Sequence, residues 1–340
     1  MNSIAILGAG TWGMALAKML KNTNKNVTVW SALPDEIEEL SKTSRHPKLP
    51  NVLFPKGIEY TTDIKSAVEN KDIIMFAVPS VFVRQTARKC KDYIKDNQII
   101  VDVAKGIEPD TLFTLTQVID DEIKNKTVKY VALSGPTHAE EVSRDMPTTI
   151  VSACQDIEVA KLVQEFFSSS FMRVYTNTDI KGIEICGALK NIIALVTGIS
   201  RGLGYGDNAT AALVTRGLAE LSRLGTAIGC SPYTFSGLTG MGDLIVTCTS
   251  IHSRNNNAGF LMGQGMSPDE AVKKVGMVVE GINAIPAALK LADKYNVDLP
   301  IIFAVNDIIN GDVSPQYAVN SLFNRELKAE VELNFPKENY

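Results

Sequence analysis

A chain of 340 residues is longer than one typical domain, and two domains are the natural expectation. With 45% hydrophobic and 21% charged residues and a mean hydropathy of +0.04, the composition is that of an ordinary soluble globular protein. The formal net charge of -4 excludes a general nucleic-acid or anionic-membrane binder, because neither surface attracts an acidic protein. The 5 cysteines (Cys90, Cys154, Cys186, Cys230 and Cys248) are odd in number, widely spaced and free of any C-x-x-C pair. That pattern is neither a disulfide framework nor a zinc site, and it suits a reducing cytoplasm. No basic segment precedes an apolar one at the N-terminus, so no secretory signal is expected, and no apolar run reads as a membrane span.

The first half alternates β-rich runs with helical patterns. Strands are predicted at Ser3–Leu7, Asn26–Trp30, Ile73–Val78, Ile99–Val103, Lys129–Leu133, Thr149–Ala153 and Arg173–Tyr175. Helices are predicted near Thr11–Lys21, Asp35–Ser41, Ser66–Asn70, Phe82–Tyr93, Leu112–Ile123 and Ile157–Ser168. Such alternation implies a parallel sheet covered on both faces. From about residue 180 long helical patterns follow one another, at 181–199, 209–228, 268–275, 281–295 and 300–310. Ser267-Pro268-Asp269-Glu270 reads as a capping box with proline at the first helical position. The expected architecture is α/β: a Rossmann-like, doubly wound parallel sheet over 1–179, followed by an all-helical domain over 180–340 packed on it.

Gly8-Ala9-Gly10-Thr11-Trp12-Gly13 is a G-x-G-x-x-G that opens a helix directly after the first strand. In this setting the first glycine permits a tight turn, the second lets a pyrophosphate approach the backbone, and the third lets helix and strand pack closely. The phosphates of a dinucleotide then rest on the helix N-terminus. The second strand ends Val29-Trp30-Ser31-Ala32, without the usual acidic ribose clamp and without an arginine for a 2′-phosphate. NAD and NADP therefore both stay open. Val78-Pro79-Ser80 lies at another strand end, on the ligand side of the sheet or as a plain strand-ending turn.

Lys190 interrupts the apolar helical segment Ile185–Val196, immediately followed by Asn191. Burial disfavours the ammonium form and lowers a lysine's pKa, which makes a general acid or base near neutral pH. The alternative is a lysine that snorkels from a helix end. Gly187 and Ala188 leave room beside it for something other than protein. Lys105 and Ser134-Gly135-Pro136-Thr137 each follow a strand, and two adjacent strand ends with polar groups make a site pattern. Gly240-Met241-Gly242-Asp243 sets a carboxylate in a glycine-rich turn, and Arg254, within Ser253-Arg254-Asn255, has the chemistry to grip a phosphate in bidentate fashion. Taken singly, Asp243 reads better as a helix cap and Arg254 as a solvated surface charge.

Together, GAGTWG (8–13), VAKGIE (103–108), SGPTHAEE (134–141), GALKNIIA (187–194), TRGLAE (215–220), GLTGMGDL (237–244), SRN (253–255) and VVEG (278–281) span the chain in one order. In them the sequence resembles the NAD(P)-dependent glycerol-3-phosphate dehydrogenase family, in its soluble biosynthetic form. The resemblance implies reversible NAD(P)H-dependent reduction of dihydroxyacetone phosphate to sn-glycerol 3-phosphate for phospholipid synthesis; Ser31 and Ala32, which offer a 2′-phosphate no cation, predict that both coenzymes work with NAD mildly preferred. It implies that Thr11, Trp12, Gly135 and Ala139 contact the coenzyme, and that Lys105 touches coenzyme and substrate. Lys190 is then the proton-transfer residue, with Asp243 orienting it. Asp243, Ser253, Arg254 and Asn255 bind the glycerol phosphate beside Gly135 and Thr137, with Arg254 also near the coenzyme. Val278 and Glu280 close over the nicotinamide nucleotide. A cytoplasmic homodimer without a metal is expected. Many members of that family carry arginine at or next to Ser31-Ala32, which this sequence lacks. The rival readings are a 3-hydroxyacid dehydrogenase of similar architecture and a non-catalytic dinucleotide-sensing module.

Overall fold

The computed structural model describes residues 1–124, 127–327 and 329–330. Its first half runs β1 (Ser3–Leu7), α1 (Thr11–Asn22), β2 (Asn26–Trp30), α2 (Pro34–Thr43), β3 (Glu59–Thr61), α3 (Ile64–Val68), β4 (Ile73–Phe76), α4 (Val83–Cys90), β5 (Ile99–Asp102), α5 (Leu115–Ile123), β6 (Lys129–Ser134), α6 (Ala139–Val142), β7 (Thr148–Ala153), α7 (Ile157–Phe167) and β8 (Met172–Asn177). The second half is α8 (Ile180–Gly202), α9 (Asp207–Ala227), α10 (Pro232–Ser236), α11 (Asp243–Thr249), α12 (Arg254–Gly263), α13 (Pro268–Val275), α14 (Glu280–Tyr295), α15 (Pro300–Asn310) and α16 (Pro315–Phe323). A turn of π-helix, Leu238–Gly242, links α10 to α11.

One eight-stranded sheet holds the order β3-β2-β1-β4-β5-β6-β7-β8. Both faces are apolar because helices cover both. Ile4, Ile6 and Met75 pack with Met14, Leu16 and Leu20 of α1 on one side. Ala5, Leu7, Ile74 and Phe76 pack with Val83 and Ala87 of α4 and Val118 of α5 on the other. The strand order reverses between β1 and β4, and in such sheets the ligand crevice opens at that switch point.

The sheet is not wholly parallel, as its alternating pattern predicted. β6 and β7 pair antiparallel, while β7 and β8 pair parallel. The connection from Ser134 to Thr148 contains only the single turn of α6, where a parallel return needs a full crossover. β3 was not predicted: it is three residues at the sheet edge, too short to show a period.

The second half is organised around α8. Every residue from Gly182 to Ser200 is buried, which is why this helix shows no polar face. It is also the one helix among the described residues that is long and apolar enough to cross a bilayer, but the whole of its apolar window lies inside the protein. The two halves meet through buried polar contacts as well as apolar ones. Glu184 of α8 accepts from the Thr116 N–H at 2.8 Å and from its hydroxyl at 2.5 Å.

Candidate active site

The glycine loop after β1 folds as its spacing predicts. Gly8 has φ +126°, and a Cβ there would lie 2.7 Å from the Ala77 carbonyl carbon. A Cβ at Gly13 would lie 2.3 Å from Gly8 O, whereas one at Gly10 would meet no atom within 4 Å. The first and third glycines thus serve protein packing, and the second faces open space. The N-terminus of α1 carries no side-chain cap. Thr11, Trp12 and Gly13 therefore present the anion-binding end of a helix toward that space, which fits a dinucleotide pyrophosphate.

At the end of β2 the structure departs from expectation. Ser31 Oγ donates to Glu36 Oε2 at 2.7 Å, so a carboxylate from α2 does reach this strand end. The sequence hid it because the acid belongs to the first turn of the following helix rather than to the strand end. Ser31 is buried and Ala32 exposed, which makes Ala32 the position where a new side chain reaches solvent.

The candidate reaction centre forms where three elements converge. Lys190, 3% exposed, comes from the middle of α8, Asp243, 1% exposed, from the start of α11, and Lys105 from the loop after β5. Asp243 divides its carboxylate between the two lysines: Lys190 Nζ donates to Oδ1 at 2.5 Å and Lys105 Nζ to Oδ2 at 2.6 Å. Lys105 Nζ also donates to Gly135 O at 3.3 Å, an oxygen that accepts from Thr137 Oγ1 at 3.1 Å. Lys190 does not snorkel. Nor is the room beside Gly187 left for a ligand: a Cβ there would lie 3.2 Å from Ser134 Oγ and 3.6 Å from Lys105 Cγ, so the glycine admits those side chains instead.

Burial pushes the Lys190 ammonium down; Asp243 pushes it back up, Lys105 lowers it again, and the net is a pKa of about 8. Burial alone would raise Asp243, but Lys105 and Lys190 outweigh it and hold the carboxyl below its ordinary value. A lysine whose pKa is lowered to about 8 and which is locked to an ionised acid is the arrangement of a tuned acid–base pair.

Thr247 was missed by sequence reasoning. Lys190 Nζ donates to its hydroxyl, which in turn donates to Asp243 O at 2.5 Å. Its spacing of four from Asp243 on α11 was the available signal. His138 was missed as well. It is the residue before α6 and makes no side-chain capping bond there, and burial and then the neighbouring Lys190 lower its pKa. Its Nε2 and Ser134 Oγ are buried without a hydrogen-bond partner among the described residues. Orphaned polar atoms beside a charged cluster suit a polar ligand.

The remaining predicted residues fall into two groups. Arg254, exposed at the start of α12, donates to Val278 O at 3.5 Å. Ser253 caps α12, accepting from the Asn256 N–H at 3.2 Å. Asn255 donates to Asn191 Oδ1 at 3.0 Å and accepts from the Gly281 N–H at 2.8 Å, tying α8, α12 and α14 together. Ala139 opens α6, and Glu280 opens α14 across the crevice from Ser80. The helix Arg254–Gly263 is absent from the predicted elements: its asparagines and glycines are weak helix formers, and packing against α8 overrides that propensity.

A dinucleotide cradle on a doubly wound sheet, joined to a buried lysine–carboxylate pair on an attached helical domain, defines a nicotinamide-dependent dehydrogenase. Residues 3–160 match the NAD-dependent glycerol-3-phosphate dehydrogenase N-terminus, and residues 179–320 match the C-terminus of the same family. The chain is 61% identical to a glycerol-3-phosphate dehydrogenase [NAD(P)+] of Lactobacillus delbrueckii subsp. bulgaricus, over 97% of this chain and 99% of that one. It is 50% identical to the enzyme so named from Fusobacterium nucleatum, over 98% and 99%. The crystal structure of glycerol-3-phosphate dehydrogenase from Coxiella burnetii superposes with a TM-score of 0.91 at 36% identity, covering 95% of this chain and 99% of that chain. The protein belongs to the NAD-dependent glycerol-3-phosphate dehydrogenase family.

Proposed function

We propose that the chain catalyses the reversible NAD(P)H-dependent reduction of dihydroxyacetone phosphate to sn-glycerol 3-phosphate, a precursor for glycerophospholipids. The observation that carries this reading is the Lys190–Asp243–Lys105 cluster beside the coenzyme crevice. The bound nicotinamide supplies a hydride to the carbonyl carbon. The carbonyl oxygen then becomes an alkoxide, and Lys190 Nζ, charged and buried, donates the proton it needs. Asp243 holds Lys190 in place and charged, while Lys105 adds positive potential and, with Gly135 and Thr137, lines the substrate. Arg254, with Ser253 and Asn255, takes the phosphate, and that remote binding fixes the carbonyl in register. Gly8, Gly10, Thr11, Trp12, Gly13, Ala139, Val278 and Glu280 hold the coenzyme.

The reading divides the chain at 179/180, into a coenzyme domain 1–179 and a substrate domain 180–340, and the two matched spans support that division. It includes a cytoplasmic homodimer: the five thiols are buried and outside disulfides, and Tyr317, Phe323 and Leu327 leave an apolar surface near the end of the chain. Light scattering of the purified chain tests the dimer.

The activity test is loss of NADH absorbance with dihydroxyacetone phosphate, with unphosphorylated dihydroxyacetone and a 3-keto acid as controls. Arg254→Ala is expected to raise KM for dihydroxyacetone phosphate strongly and to lower kcat as well, because the phosphate contact also positions the carbonyl. A wild-type enzyme that used the phosphorylated and unphosphorylated ketones equally would remove the phosphate site.

Coenzyme choice follows from the end of β2. A 2′-phosphate carries close to two negative charges and needs a cationic partner when it leaves water. Ser31 and Ala32 supply none, and Glu36 repels it. NADH and NADPH are both expected to work, with NADH preferred by less than about a hundredfold, under about 3 kcal/mol. Ala32→Arg, at an exposed position, should swing the kcat/KM ratio toward NADPH. Ser31→Arg should do so less cleanly, since it also breaks the bond to Glu36. A strong native preference for NADPH would overturn this account of β2.

A further inference from the structure

One pair of side chains ties the two walls of the coenzyme crevice together. Ser80 lies just past β4, and Glu280 is the first residue of α14. The Ser80 N–H donates to Glu280 Oε1 at 3.1 Å, and the Ser80 hydroxyl donates to Oε2 at 2.6 Å. Asn283 Nδ2 adds a longer bond to Oε2 at 3.5 Å. A carboxylate has about four acceptor sites, so this grip fixes its direction and still leaves capacity for another donor.

Its place indicates which donor. The crevice opens between β1 and β4, and the glycine loop at β1 takes the pyrophosphate. The ends of β4 and β5 therefore lie under the nicotinamide half. Ser80 stands against the loop that carries Lys105: a Cβ at Gly106 would lie 2.4 Å from Ser80 Cβ. On its other side Glu280 is linked to the reaction centre, through Gly281 N–H to Asn255 and from Asn255 to Asn191, the neighbour of Lys190. The nicotinamide ring must lie beside Lys190 for hydride to reach the substrate, and that ring carries an amide NH2, a donor with no acceptor of its own to satisfy it.

We propose that Ser80 is a positioning residue for the coenzyme, fixing the Glu280 carboxylate so that it accepts a hydrogen bond from the nicotinamide carboxamide. This rests on the functional reading above. The test is calorimetric binding, without substrate, of NADH and of reduced 3-acetylpyridine adenine dinucleotide, in which a methyl ketone replaces the carboxamide and removes its N–H donors. Wild type is expected to bind NADH about tenfold more tightly than the analogue, the worth of one hydrogen bond to a charged group. Ser80→Ala should weaken NADH by roughly that factor and leave the analogue within about twofold. In a Glu280→Ala background the same change should have no further effect on NADH. Equal weakening of both coenzymes would mean that the pair only holds the domains together, and would overturn the proposal; so would unchanged NADH binding in Ser80→Ala. A wild type that binds NADH but leaves dihydroxyacetone phosphate unreduced would sink the functional reading, while the binding pattern would still decide the role of Ser80.

Discussion

Lys190→Ala is expected to lower kcat for dihydroxyacetone phosphate reduction by at least about 3 kcal/mol of transition-state stabilisation, more than a hundredfold, with the Kd for NADH nearly unchanged. The substitution removes the proton donor and the closest positive charge to the developing alkoxide in one step. The rest of the cluster stays chemically viable, because Lys105 still neutralises Asp243 at 2.6 Å. Loss of rate should therefore exceed loss of stability. The pH profile adds an independent check. With a pKa of about 8, Lys190 is mostly protonated at pH 7, the form needed to reduce the ketone. Reduction should fall as pH rises through that value, oxidation of glycerol 3-phosphate should rise, and both limbs should vanish in Lys190→Ala. A mutant within tenfold of wild-type kcat would sink the assignment.

Much of this is legible in the sequence, and what is hidden there has physical reasons. The glycine loop was readable because each glycine answers a local steric demand, two of which the structure displays as forbidden Cβ positions at Gly8 and Gly13. Lys190 was readable because a charge inside an unbroken apolar helix has few bland explanations. The link from Lys190 to Asp243 came with the resemblance, because the two are 53 positions apart and spacing alone shows only a carboxylate in a glycine-rich turn. Thr247, the filled space beside Gly187 and the Glu36 carboxylate at β2 depend on how side chains turn, which composition and periodicity do not encode. Asn255 shows the opposite limit. The resemblance implies a substrate role, but its amide also bonds α8 and α14, so substituting it would confound binding with packing.

Asp243→Asn is expected to do more damage than its small change in shape suggests, and to do it in a diagnostic way. The carboxylate is the shared counter-ion of two lysines, and it raises the pKa of Lys190 against the larger effect of burial. With an amide in its place, Lys190 keeps its desolvation and the repulsion of Lys105 but loses the attraction that opposed them. Its pKa must fall further, so at pH 7 it should stand largely neutral and unable to donate a proton. Reduction at pH 7 is expected to drop by roughly two to three orders of magnitude, within the range that a misplaced proton donor costs. Lowering the pH reprotonates the lysine, so part of that loss should return toward pH 6, and the optimum for reduction should move to the acid side of wild type. Stability should suffer too. Breaking a buried ion pair from one side costs about 3–5 kcal/mol when the other charge stays, and deprotonation of Lys190 relieves part of that as pH rises. The melting-temperature deficit of Asp243→Asn should accordingly be largest below neutrality and shrink above it. The measurements are kcat against pH for both enzymes and melting temperature across the same range. An inactive mutant with the wild-type pH optimum would show that Asp243 aligns Lys190 without controlling its proton.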